Sequence, residues 1–130
     1  MMSLDTNVVA RWMIRDVPEQ AAVVDQLLEN GELAFVEDIV FFELEHLLRS
    51  HYQMTRDLIV AHLWSVIDSR WFEANKTLWR AVLVDFEANH SLSLADCHLA
   101  HAAAIKGREP LMTFDKTLAK KLPKTVKLLG

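Results

Sequence analysis

Four carboxylates stand in this chain where a charge is expensive. Asp5 closes the apolar start of SLDTNVV, Glu43 interrupts FFELEHLL, Asp96 lies within SLADCHLAHAA, and Asp115 follows LMTF in LMTFDKTLAK. Burying a carboxylate costs several kcal/mol unless a partner compensates it, so carboxylates in apolar stretches imply a cation. An oxygen-only donor set suits magnesium or manganese, whose commonest protein chemistry is on phosphate esters. Thr6 and Asn7 follow Asp5 directly. Three cap-competent residues in a row exceed what one helix end needs. The Thr6 hydroxyl is therefore a candidate for the ligand shell or for a substrate phosphate.

Each acid also has an ordinary role open to it. Asp5 and Asp115 both stand at helix starts, where Asp is a preferred cap. Ser93-x-x-Asp96 fits a capping box. Glu43 has a rival in Glu45. At about 100° per residue, Glu43 falls between Ile39 and Leu47 on the edge of the apolar stripe. Glu45 precedes Arg49 in the favoured order for an i,i+4 ion pair. Glu43 is assigned to the site and Glu45 to a surface pair. Taken singly, any of the four acids is better explained by structure; their joint arrangement shifts the balance.

The histidines offer a different chemistry. His98 and His101 are one turn apart, and Glu43-x-x-His46 has the spacing of di-iron helices. A di-iron bundle needs that motif twice, and it occurs once. These histidines are read as helix-surface or core-edge groups, and Cys97 as a small buried hydrophobe. Of the four tryptophans, most belong to the core; Trp12 is the candidate anchor for a partner.

These side chains need elements to position them. A short strand over residues 2–4 ends at Asp5. Thr6 to Ile14 has the three-and-four spacing of a helix. Asp16 and Pro18 open a second helix, closed by Asn30-Gly31. Leu33 to Val36 reads as strand two. Asp38 opens a helix to about Tyr52, Thr55 opens the next through Ile67, and Arg70 to Glu73 is a short third strand. Lys76 to Asn89 is helical. Ser93 caps an Ala-rich helix from Leu94 to Ile105, closed by Gly107. Pro110 to Phe114 and Thr125 to Leu129 are strands four and five, with a short helix from Asp115 to Leu122 between them. Such alternation predicts a parallel sheet covered by helices on both faces. Ligands of open sheets sit beyond the carboxyl ends of the strands. Asp5 follows strand one and Asp115 follows strand four, so adjacency of those strands brings the two acids to one rim.

The 130 residues suffice for one domain, and 52% apolar content excludes general disorder. The single cysteine excludes an internal disulfide and fits a reducing compartment. The longest uncharged apolar run, residues 58–67, is far short of the ~18–20 residues that span a bilayer. The start lacks the pattern of a secretory signal. The expectation is a soluble cytoplasmic protein. Net charge is −4, yet residues 106–130 carry seven basic and two acidic residues. Lys116, Lys120 and Lys121 in this stretch are candidate contacts to a polyanion.

The segments SLDTNVV, ELEHLLRSHY, LADCHLAHAA and LMTFDKTLAKKL, in this order and at this length, resemble the PIN-domain ribonucleases, and more narrowly the VapC-type toxins of bacterial toxin–antitoxin pairs. The resemblance covers almost the whole chain. It implies one α/β domain over residues 1–130, a three-layer α/β/α fold with a five-stranded parallel sheet of order 3-2-1-4-5. It implies catalytic acids at Asp5, Glu43, Asp96 and Asp115, with Asp5 and Asp96 on Mg²⁺ or Mn²⁺ and with Thr6 and Asn7 as supporting polar groups. The implied activity is metal-dependent endoribonuclease action on RNA. The implied partners are a small cognate antitoxin and a second copy of the chain, as a homodimer or a toxin–antitoxin hetero-oligomer, without a membrane. Alternatives are a catalytically silent RNA-binding or scaffold module, a metal-dependent DNA nuclease, and a haloacid-dehalogenase-like phosphatase. The last needs Asp-x-Asp, and residue 7 is Asn.

Overall fold

Helix starts and stops in this chain follow its cap residues closely. The computed structural model describes residues 1–130. Its backbone contacts fall into two compact units, Met1–Lys76 and Thr77–Gly130.

The first unit runs β1 (Met2–Ser3), α1 (Thr6–Ile14), α2 (Pro18–Glu29), β2 (Ala34–Phe35), α3 (Asp38–Ser50), α4 (Arg56–Asp68) and β3 (Phe72–Glu73). Its strands pair in parallel in the order β1-β2-β3, with Met2 opposite Ala34 and Ala34 opposite Phe72. Flanking bonds extend the ladder: the Leu4 N–H donates to Phe35 O at 3.1 Å and the Val36 N–H to Glu73 O at 2.8 Å. Val9, Phe41, Leu44, Leu48, Leu63 and Phe72 are buried between these elements. Trp12 does not stand free. Its ring meets Phe72 edge-on, with centroids 4.7 Å apart at 86°.

The second unit runs α5 (Lys76–Ala88), α6 (Leu94–Ile105), β4 (Leu111–Thr113), α7 (Lys116–Lys121) and β5 (Val126–Leu128). β4 and β5 pair in parallel, Leu111 opposite Val126. Leu78, Trp79, Val82, Leu83 and Phe86 on α5 are buried, as are Leu94, Cys97 and Ala100 on α6. Trp79 lies 5.1 Å from the His98 ring, and His101 Nε2 is hydrogen-bonded to the Asp85 carboxylate.

The fold is α/β with parallel strands and seven helices, as expected. The expected single five-stranded ladder is not what forms. The strands pair as β1-β2-β3 and β4-β5, with no ladder between β1 and β4. The apolar alternation of strands two or three residues long does not fix which edges pair.

Two helix starts fall where the sequence reading put them. Asp38 is the first helical residue of α3, with Glu37 as N-cap, and the Asp38 carboxylate accepts from the Asn75 amide at 3.0 Å. α2 starts at Pro18, with Val17 as an N-cap that makes no side-chain bond. Asp16 accepts the Tyr52 hydroxyl at 2.7 Å and Arg11 at 3.1 Å. Arg11 also reaches Gln20 at 2.8 Å, so one cluster ties α1, α2 and the end of α3.

The Tyr52 hydroxyl first, and then Arg11, hold the Asp16 carboxyl below its ordinary range. A depressed folded-state value means that the stabilisation is present above the unfolded value of about 4 and is lost as pH falls through the folded value. Tyr52→Phe will therefore move the Asp16 titration upward and flatten the loss of stability below about pH 4, read by NMR titration and acid unfolding. Phe72→Ala will cost about 3–5 kcal/mol in urea unfolding, because it opens a cavity and removes the edge partner of Trp12.

Candidate functional site

The chain leaves β1 and enters α1 within two residues, and that sharp transition sets the site. Asp5 is the N-cap of α1, with Oδ1 accepting the Thr6 N–H at 2.8 Å. Its Oδ2 accepts no hydrogen bond, and no Lys or Arg pairs with it. Thr6 is 7% exposed, and its Oγ1 has no hydrogen-bond partner. An unpaired buried hydroxyl costs about 1–3 kcal/mol. Such a cost persists where the oxygen has an external partner.

α3 supplies the opposite wall. Asp5, Thr6, Asn7, Phe42, Glu43, His46 and Leu47 line one cavity of about 390 Å³. Glu43 makes no ion pair and no hydrogen bond. Glu45 behaves as the spacing predicted and is bound through both oxygens by Arg49 Nε, at 3.2 and 3.0 Å. Their burial is the reverse of a simple reading. Glu45 has the more covered side chain, at 15% exposure, and Glu43 is exposed toward the cavity. The structure thus brings together four of the expected residues, Asp5, Thr6, Asn7 and Glu43.

Asp96 and Asp115 belong to the second unit. Asp96 forms a full capping box with Ser93: its N–H donates to Ser93 Oγ at 3.1 Å, and its Oδ2 accepts the Ser93 N–H at 3.2 Å. Asp115 follows β4 and caps α7 through Oδ1, which accepts from Thr117 at 2.9 Å and Leu118 at 3.0 Å. Each uses one carboxylate oxygen for its helix and retains the other. Lys116, Lys120 and Lys121 on α7 are exposed and form no ion pair.

One residue set aside in the sequence belongs to the site, and one cavity went unread. His46, read as a helix-surface or core-edge group, lines the cavity beside Glu43. In the second unit, Asp85, His101, Lys121 and Lys124 help to line a cavity of about 310 Å³. Nothing in their sequence spacing announces it.

The donors around Asp5 test the cation expectation. In neither unit do three or more His, Cys, Asp or Glu groups gather closely enough to hold a metal ion by themselves. Magnesium does not require such a cage, since it commonly takes one or two carboxylates and keeps its waters. Asp5, Glu43 and the unpartnered Thr6 Oγ1 are hard oxygen donors of that type, so the residues fit.

Thr6→Val keeps the shape and removes the orphaned oxygen. We expect its thermal stability to hold or rise by up to about 1 kcal/mol, while Mn²⁺ affinity measured by calorimetry falls and Thr6→Ser restores it. Unchanged Mn²⁺ binding in a folded Thr6→Val protein would remove the hydroxyl from the site.

No helix is long and apolar enough to cross a membrane. Compared with known proteins, the chain matches the family model described as PIN domain over residues 2–122. No curated protein matches it.

Proposed function

The chain belongs to the PIN-domain family, a fold generally used by metal-dependent nucleases, and we propose that it is an endoribonuclease acting as the toxin of a type II toxin–antitoxin pair. The observation that carries this reading is the cavity where two carboxylates without cationic partners meet a buried hydroxyl without a hydrogen bond. Hydrolysis of a phosphodiester asks for that donor chemistry.

In this reading Asp5 Oδ2 and Glu43 hold Mg²⁺ or Mn²⁺, while Asp5 Oδ1 stays on the helix and fixes the carboxylate. Bound there, the cation supplies charge neutralisation to the phosphate and acidity to the attacking water. Thr6 Oγ1 orients a water or a phosphate oxygen, and Asn7 offers an amide at the rim of the same cavity. No side chain attacks the substrate. By the family resemblance Asp96 and Asp115, each with one oxygen left off its helix, are the further acids of the proposed reaction. The α7 lysines attract the strand by charge.

The partner in this proposal is a small antitoxin. A strongly apolar groove of about 300 Å³, lined by Val8, Arg11, Gln20, Val23 and Val24 and sharing Asn7 with the acidic cavity, supports such a contact. A homodimer and a cytoplasmic location complete the proposal.

Asp5→Asn and Asp96→Asn will each lower cleavage of total RNA by about a hundredfold or more, on the scale of losing one transition-state contact. Circular dichroism and thermal unfolding will stay near wild type, and EDTA will abolish cleavage by the wild-type protein. Wild-type rates in either folded variant would defeat the assignment of that acid.

A further inference from the structure

The paired strands of the second unit show one packed face and one bare face. Side chains alternate along each strand. Val126 is buried, and Leu111, Thr113 and Leu128 are half-buried. The alternate positions point the other way: Met112 is 45% exposed, Phe114 79% and Leu129 41%, and Lys127 is exposed. Met112 is the register partner of Lys127, and the Leu129 N–H bonds to Thr113 O at 2.7 Å, so these four residues share one face. Phe114 is the most exposed large hydrophobic residue of the chain. A phenyl ring left so open forfeits the free energy of burial.

The charges around it select the occupant. Lys116 follows the ring by two residues, Lys127 opposite Met112 shares its face, and neither lysine is paired with an acid. Residues 106–130 hold seven basic residues and only Glu109 and Asp115 as acids. The Asp115 carboxylate is turned to the first turn of α7, where it accepts two N–H groups. A second copy would bring lysine against lysine across this face. A single-stranded polyanion with flat bases meets both features, stacking a base on the ring while its phosphates meet the ammonium groups.

We propose that Phe114, flanked by Lys116 and Lys127, is a stacking platform for one base of a single-stranded RNA. This deepens the ribonuclease reading by naming a substrate subsite, and it rests on that reading only for the choice of RNA. The platform binds without metal.

The test uses the full chain and a short fluorescent mixed-sequence oligoribonucleotide in EDTA, read by anisotropy. Phe114→Ala and Phe114→Leu will weaken binding at least about fivefold, and Phe114→Tyr will stay within about twofold, because stacking needs a π-face and not merely an apolar group. Lys127→Ala will lower the slope of log affinity against log salt by about 0.7. Phe114→Leu binding as tightly as wild type would overturn the platform. So would a dimer, seen by sedimentation, that Phe114→Lys dissolves while RNA binding stays unchanged; the face would then be an interface between copies. Cleavage of the same oligonucleotide in Mn²⁺ is scored separately. RNA binding that depends on Phe114 without any cleavage removes the nuclease reading and keeps the platform, and cleavage with binding indifferent to residue 114 does the reverse.

Discussion

The two-residue passage from β1 into α1 is the constraint on which the first unit depends. Leu4 is buried and still donates to the β2 ladder, so the chain has no freedom to drift before the helix begins. Asp5 must then do two things at once. Its backbone carbonyl starts α1, accepting from Val8 and Val9, and its Oδ1 takes the Thr6 N–H. A cap of this kind stabilises by about 1 kcal/mol and holds the carboxylate in one orientation. Thr6 is thereby driven inward, where its hydroxyl finds no protein partner. The packing of α3 against α1 supplies Glu43 across the gap. Local backbone economy and site geometry are one arrangement.

Capping and ion binding do not compete as directly as a residue-by-residue reading implies. An ionised carboxylate has two oxygens and about four lone-pair sites. Asp5, Asp96 and Asp115 each engage amide hydrogens through a single oxygen. The helix fixes the rotamer, and the second oxygen keeps its lone pairs free. Glu43 is the exception, with no partner at all. Its position is set by the buried neighbours Val40, Phe41, Leu44 and Leu48 on the same helix. Only its long side chain has freedom, which suits a ligand that must adapt to the cation more than one that must define its place.

Helices were legible in the sequence where cap chemistry and apolar spacing agreed. Thr6–Ile14 and Leu94–Ile105 match the reading to the residue, because Asp5 and Ser93 mark the starts and the apolar periodicity runs to the ends. Asp16 and Asp38 marked their helix starts without capping them: the carboxylates go to tertiary partners, Tyr52 with Arg11 in one case and Asn75 in the other, which spacing along one helix does not reveal. Strands were legible in existence and order of appearance but not in pairing. Elements of two or three residues carry too few alternations to define an edge. The Glu45–Arg49 pair was legible from its spacing, while the burial of Glu43 and Glu45 was not, since a helical wheel says nothing about which elements cover a given face. Phe114 was hidden altogether. It reads as the last apolar residue of a strand, and only accessibility reveals that nothing covers it.

Net charge is a poor guide to the potential this chain presents locally. Screening limits the reach of an exposed charge to about 8 Å at physiological salt. α7 is six residues long, about 9 Å at 1.5 Å per residue, so Lys116, Lys120 and Lys121 lie within about one screening length of their neighbours. An approaching anion senses them together and is largely blind to the remote acids that make the total −4. Lysine ammonium groups on flexible stems attract without imposing geometry. Orientation must then come from groups that do impose it, an aromatic face on one side and fixed carboxylates on the other. An acidic chain can in this way present a local cationic surface: the lysines supply attraction, and the rigid groups beside them supply alignment.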